Sequence, residues 1–446
     1  MHPNPRVRAQ QQHHVRRRAD SSDAYAFFNL LTSPELLDQV ESLLPSHRER
    51  LFPPTETLSM FLSQALSADR SCQRAVNEAA VKRLMGGLAR ASTHTGGYCR
   101  ARRRLPLAMP ASLVRHIGRM MSAKALSAWH WRGHPVRLVD GTTVSMPDTK
   151  ANQAAYPQPR SQAPGLGFPL ARLVGLVCLG SGAVLDAAMG GYRGQGNDEQ
   201  TLLRTLLDTL EPGDLLLGDA YYASFFLFCA LKDRGVEAVF EQQGSRRRST
   251  DFRRGRRLGA RDHLIELCKP KLRPAWMTET QYAQAPDSLT VRELRTGGKI
   301  LVTTLTCPRQ TPTAALKALY RERWHVELDL RHIKTTLGME MLSCKTPAMV
   351  HKEIWVYLLA YNLIRLMMAQ AATLAECLPR ALSFKHTLQV WIVWDRYAST
   401  DREGNRPGRL EPRAVKRRPK QYPLLMKPRE LAREEIRRHG HPRKVK

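Results

Sequence analysis

Two short apolar runs, each closed by an aspartate, do most to fix what this chain can become: Val136-Arg-Leu-Val-Asp140 and Leu215-Leu-Leu-Gly-Asp219. Each has the length of a strand, and near-continuous apolar character marks a strand covered on both faces. Leu173 to Leu179, the turn Gly180-Ser-Gly182 and Ala183 to Met189 read as a hairpin. Asp198 to Leu210 reads as a helix closed by Pro212-Gly213, Ala223 to Arg234 as a second helix, and Val236 to Phe240 as a further strand. Strand, hairpin, helix, strand, helix, strand predicts an α/β fold, a mixed sheet flanked by helices. Both aspartates are then expected at strand ends, held rigidly at the sheet edge, with Gly141-Thr142 turning the chain after Asp140.

A third carboxylate has a different setting. In the stretch from Tyr320 to Lys334, the residues Tyr320, Arg323, Glu327 and Lys334 fall within an arc of about 60° at ~100° per residue. Val326, Leu330, Ile333 and Leu337 form an adjacent apolar stripe for packing on a core. The polar face has two readings. It is either a solvated face with an i, i+4 pair between Arg323 and Glu327, or a carboxylate set between cations and a phenol to handle a metal ion and the phosphates around it.

Charge favours the second. Lys and Arg number 70 against 40 Asp and Glu, a net +30 over 446 residues, and such an excess concentrates polyanions at the surface. Nucleic acid is the first partner this implies. No secretory signal opens the chain and no uninterrupted apolar segment suits a membrane span, so a cytoplasmic protein with no membrane partner is expected. The eight cysteines are scattered, with no C-x-x-C pair and no zinc-spaced cluster.

Asp140, Asp219 and Glu327 would supply oxygen-only ligands, which favour Mg²⁺, with Mn²⁺ able to substitute. Phosphodiester chemistry uses two such ions, one to activate the attacking oxygen and one to stabilise the leaving one. Asp148, Asp198, Glu199 and Asp214 rank lower. Asp198 and Glu199 read as first-turn helix acids, Asp214 precedes its strand, and Asp148 follows a proline in a loop.

The remaining sequence divides around this centre. Residues 1–22 read as a basic disordered arm. Residues 23–130 read as a helical module, opened by Ser33-Pro34 and carrying the basic run Tyr98 to Arg104, that grips DNA or caps the main domain. Residues 131–241 and 306–400 read as the two parts of the α/β core that carries the three acids. Residues 242–305 read as a β-rich insertion that begins with an arginine-rich run and has strand-like segments at Ser288 to Leu294 and Lys299 to Thr306. Trp355 to Ala372 is a strongly apolar helix, and residues 401–446 are a basic, proline-rich tail.

Asp140-Gly-Thr-Thr, Leu217-Gly-Asp219 and the Tyr320, Arg323, Glu327, Lys334 signature with Trp324 inside it resemble the DDE transposases of bacterial insertion sequences, in the subgroup named for its Y-R-E-K helix. The resemblance runs from about residue 30 to 425 and includes Asp148 to Asn152, Tyr361 to Arg365 and Glu411 to Arg418. It departs after the second Asp, where Ala220-Tyr221-Tyr222 stands in place of an Arg-Gly common in relatives. The resemblance implies a ribonuclease H-like catalytic domain with a β-strand insertion, and two Mg²⁺ ions on Asp140, Asp219 and Glu327. It further implies transposon-end phosphates held by Tyr320, Arg323 and Lys334, and a flipped base stacked on Trp276, which is assigned by region alone. The implied function is transposition: binding of terminal inverted repeats in double-stranded DNA, pairing of two ends by a homodimer, strand cleavage and transfer to target DNA, at the bacterial nucleoid. A catalytically silent DNA-binding regulator derived from a transposase, or a nuclease on the same fold, stay open as alternatives.

Overall fold

The computed structural model describes residues 38–40, 42–44, 51–67, 69–85, 87–194, 196–247, 250–400 and 428–439. The basic arm of residues 1–22, the Ser33-Pro34 helix start and the Glu411 to Arg418 run lie outside the described residues.

Helices come first: α1 (Pro54–Leu66), α2 (Cys72–Met85), α3 (Thr95–Arg104) and α4 (Ala108–Ala123). Leu58, Phe61 and Leu62 of α1 and Leu113, Val114 and Ile117 of α4 join the same apolar core as the sheet. Within the basic run on α3, Arg102 turns inward, its guanidinium 3.9 Å above the Phe61 ring and 3.1 Å from Gln64 Oε1. Arg100, Arg103 and Arg104 stay exposed, so three of that run's arginines are open to a polyanion.

One nine-stranded sheet organises the rest, in the order β3-β2-β1-β4-β5-β9-β8-β7-β6. Its first half is β1 (Val136–Ser145), β2 (Leu170–Cys178), β3 (Val184–Gly191), β4 (Leu215–Gly218) and β5 (Glu237–Glu241). β1 pairs antiparallel with β2 and parallel with β4, and β4 pairs parallel with β5. That order and mixed direction, with helices on both faces, make the fold ribonuclease H-like α/β. The insertion strands β6 (Arg256–Gly259), β7 (Asp262–Cys268), β8 (Ser288–Thr296) and β9 (Lys299–Thr303) extend the same sheet, joined through an antiparallel β5/β9 ladder.

Two layers cover the sheet. α5 (Glu199–Arg204) and α6 (Phe225–Asp233) bury Leu203, Phe228 and Leu231 against Val139 and Leu216 on one face. The helix expected over Asp198 to Leu210 is thus shorter, because a 3₁₀ turn at Leu207–Thr209 replaces its second half. The opposite face, with Val136, Leu138, Leu215 and Leu217, packs under α7 (Thr313–Glu322), α8 (Trp324–Arg331) and the long α9 (Pro347–Ala375). By length and composition α9 could cross a bilayer, but most of its side chains are buried inside the protein.

Polar groups lock these layers. On α9, Asn362 donates to Val114 O (3.0 Å) and Val184 O (2.8 Å), tying α4 to β3. Arg365 and Arg380 clamp Asp329 of α8, which has no exposed surface. In the basic tail, Arg429–His439 is helical, and Arg433 donates to Asp148 O at 3.1 Å.

Candidate active site

The β1/β4 ladder sets Leu138 beside Leu217, and two more residues along each parallel strand bring Asp140 level with Asp219. Asp140 is not at a strand end as expected: β1 runs on to Ser145, paired with β2 as far as Leu170. The reason is that β4 stops at Gly218 while β1 continues, so Asp140 lies in the middle of its strand but past the end of its neighbour. The site is the notch left by the shorter strand. By strand alternation both aspartates share the face of Leu138 and Leu217, under α8. Asp140 Oδ1 accepts the Gly141 N–H at 2.8 Å, and Asp219 Oδ1 accepts the Tyr221 N–H at 2.8 Å.

Burial pushes the Asp140 carboxyl up, and the Gly141 N–H and the Arg323 guanidinium oppose this, while Asp219 and Glu199 add to it. The net result is a pKa of about 6. Such a group is short of positive charge.

The Tyr320 to Lys334 stretch is not one uniform α-helix. α7 and α8 meet at Arg323, whose φ −50° and ψ −35° keep the path helical, and a π-turn spans His332–Thr336. Lys334 sits in that wider turn, so regular 100° stepping does not fix its direction. At its end, Arg70 donates to Gly338 O (2.7 Å) and Leu337 O (3.2 Å), an N-terminal arginine satisfying the last carbonyls of the helix.

α8 packs on β1, and Arg323 donates to Glu327 Oε1 at 2.9 Å. Burial works against the charge of Arg323, yet Tyr320, Glu327 and Asp140 more than offset it and raise its pKa. The pair therefore forms, but over Asp140 rather than in open solvent. Tyr320 is buried, its hydroxyl 3.5 Å from Glu241 Oε2, which also pairs with Lys299 at 2.6 Å. Lys299, Lys317, Tyr320, Arg321, Arg323 and Trp324 line a cavity of about 250 Å³, and Trp324 is 57% exposed.

Trp276 belongs to a different pocket. It is half exposed, lies edge-on to Phe226 at 6.2 Å between ring centroids, and carries the Arg204 guanidinium 3.9 Å over its face. The pocket, about 350 Å³, reaches Gln200 at the start of α5.

Glu199 is the residue that the sequence ranking passed over. It opens α5, and Asp198 does cap that helix by accepting the Thr201 N–H at 3.0 Å. The Glu199 carboxylate lies against Gly141, where a β-carbon would come 2.5 Å from Oε1 and 2.6 Å from Oε2. Burial raises the Glu199 pKa too, with Arg172 and Tyr222 opposing and Asp219 and Asp198 adding.

Among the described residues no three acidic, imidazole or thiol groups converge closely enough to hold one ion as the side chains stand. Glu327 faces Arg323 instead. The donor set still fits a divalent cation: all ligand atoms are carboxylate oxygens, and the desolvated Asp140 beside Asp219 and Glu199 lacks the charge that a cation would bring.

A family model described as a transposase DDE domain matches residues 131–363. The transposase InsG for insertion sequence element IS4 of Escherichia coli (strain K12) is 31% identical over 324 residues, covering 67% of this chain and 71% of that protein. The family match takes in Asp140, Asp219 and Glu327.

Proposed function

Because the chain belongs to the DDE transposases of bacterial insertion sequences, we propose that it binds the terminal inverted repeats of its own element, frees a 3′ hydroxyl by cleaving one strand, and joins that hydroxyl to target DNA. The observation that carries this reading is the placement of Asp140 in β1 beside Asp219, the residue just past the end of the parallel strand β4, with Arg323 near Asp140 and paired to Glu327. Two divalent ions, Mg²⁺ or Mn²⁺, when bound there lower the pKa of the attacking water or 3′ hydroxyl and stabilise the leaving oxygen.

Asp140, Asp219 and Glu327 would hold them, with Glu327 released from Arg323. Arg323 then turns to an end phosphate, a bidentate partner better matched to a guanidinium than one carboxylate oxygen. Tyr320, fixed by Glu241, and Lys334 are the further end contacts, and the exposed face of Trp276 beside Arg204 stacks on an unpaired base. The large positive charge steers the chain to duplex DNA and so to the nucleoid, where a homodimer would pair two ends.

The test is cleavage of a DNA fragment carrying the element's own ends. Purified protein with Mg²⁺ is expected to nick it at the end and give strand-transfer products, and Asp140→Asn to abolish nicking with DNA binding largely kept. Binding without cleavage, even with Mn²⁺, would instead make the chain a regulator. Cleavage without joining would make it a nuclease.

A further inference from the structure

We propose that Glu199 is a fourth acid of the divalent-metal centre, reaching Asp140 and Asp219 across the bare backbone of Gly141, an inference that rests on the metal-dependent reading above. Gly141 directly follows Asp140 in β1, and by alternation its missing side chain would project to the α5 side of the sheet. Any β-carbon there would overlap the Glu199 carboxylate. The absence of a side chain at this position is what lets a second element deliver an acid to the notch from the other face. Gly141 has no left-handed φ that would demand glycine, so its backbone leaves room for the packing explanation alone.

Glu199 is aimed from three directions. The Asp198 cap fixes the first turn of α5, the Tyr222 hydroxyl donates to Oε2 at 3.3 Å, and Arg172 Nε stands 3.8 Å from Oε1. Tyr222 is fully buried and three residues after Asp219, so the loop that positions one acid also positions the other's hydrogen-bond donor. Arg172 is itself fastened to Asn197 O at 2.8 Å.

A purely structural role accounts poorly for this arrangement. A helix-start acid gains from the macrodipole while pointing into solvent, and needs no approach to a strand. Here the Glu199 side chain is only 27% exposed, and its cationic neighbour Arg172 is beyond good hydrogen-bond range. It lies close enough to Asp219 for the two charges to repel each other, and it also repels Asp140. The Glu199 carboxylate thus lies against the residue that follows Asp140 with one hydroxyl and one distant guanidinium as partners, a setting that a cation on Asp140 would complete.

The experiment is Mn²⁺ binding to the full chain, followed by the electron paramagnetic resonance signal of free Mn²⁺, with thermal unfolding in EDTA alongside. The proteins are wild type, Glu199→Gln, Gly141→Ala and Asp140→Asn. Glu199→Gln is expected to weaken Mn²⁺ binding about tenfold or more, and Gly141→Ala to do the same by displacing the carboxylate. In EDTA the midpoint of Glu199→Gln should be unchanged or higher, because one repelling charge is gone. Wild-type Mn²⁺ affinity in Glu199→Gln, with affinity lost in Asp140→Asn, would overturn this inference and leave the metal reading intact. So would weaker binding that is matched by a lower midpoint in EDTA, the sign of a structural role. No Mn²⁺ bound to the wild type, or equal binding by Asp140→Asn, would overturn both.

Discussion

Asp140→Asn should stabilise the metal-free protein while destroying its chemistry. In the folded chain the carboxyl titrates at about 6 against an ordinary 3.8, and a displacement of that size, at about 1.4 kcal/mol per pKa unit, amounts to roughly 3 kcal/mol. The folded state holds the proton more tightly than the unfolded state. The ionised carboxylate therefore subtracts from stability above the folded pKa, and this penalty fades as pH falls toward the unfolded one. Asparagine removes the charge but keeps an oxygen to accept the Gly141 N–H. In urea titrations with EDTA the variant should be more stable by about 2 to 3 kcal/mol near pH 8, with the gap closing toward pH 4. Saturating Mg²⁺ should raise the wild type toward the variant and leave the variant unmoved. Equal stability near pH 8, or a gap that persists unchanged at pH 4, would refute the claim that Asp140 is held against its own solvation.

Two further substitutions separate scaffold from chemistry. Burial pushes the Asp329 carboxyl up, but Arg380 and Arg365 outweigh it and hold it below its usual range. Its contribution is thus complete at neutral pH and lost only in strong acid, below the unfolded carboxylate pKa. Asp329→Asn strands the buried Arg365 without its carboxylate and should cost about 3 to 5 kcal/mol in urea unfolding near pH 7; a loss under ~1 kcal/mol would mean that the clamp does not hold α8. Arg323→Gln removes a pair whose partners are 15% and 35% exposed and takes a counter-charge from Asp140, so near pH 8 stability should fall by about 1 to 2 kcal/mol. Nicking of the element's ends should meanwhile drop at least tenfold, roughly the loss of one charge-assisted phosphate contact. A parallel loss of folding and nicking would return the pair to a scaffold role.

Much of the sheet was legible because its strands obey simple rules. Val136, Leu138 and Val139 with Leu215 to Leu217 present apolar side chains to both faces, and their strands form the parallel pair that this pattern predicts. What happens after Asp140 was not legible. Gly141-Thr142 offers no apolar alternation and reads as a turn, yet backbone pairing of Gly141, Thr142 and Thr143 with Val174, Leu173 and Arg172 carries β1 onward. β6 was hidden for a related reason: Arg256 and Arg257 stand exposed on the outermost strand, where a charged edge discourages further pairing and masks the pattern. Glu199 was invisible for want of tertiary information. Its setting within its own helix resembles that of any first-turn acid, and the only local hint lay 58 residues upstream in the glycine after Asp140.

The same limit explains why the polar face of α7 and α8 supported two readings. The Arg323–Glu327 pair exists, as the solvated-face reading requires, but it sits where Asp140 adds to the charge that Arg323 neutralises. In the proposed mechanism the pair is a resting arrangement. Cations on the carboxylates remove the need for Arg323 as counter-charge, and DNA phosphate offers it a better partner. Metal and DNA then each release the group that the other requires. An i, i+4 pair on a helix surface gives no reason for such coupling; the notch beyond the end of β4 does, because it brings Asp140 within range of the same guanidinium.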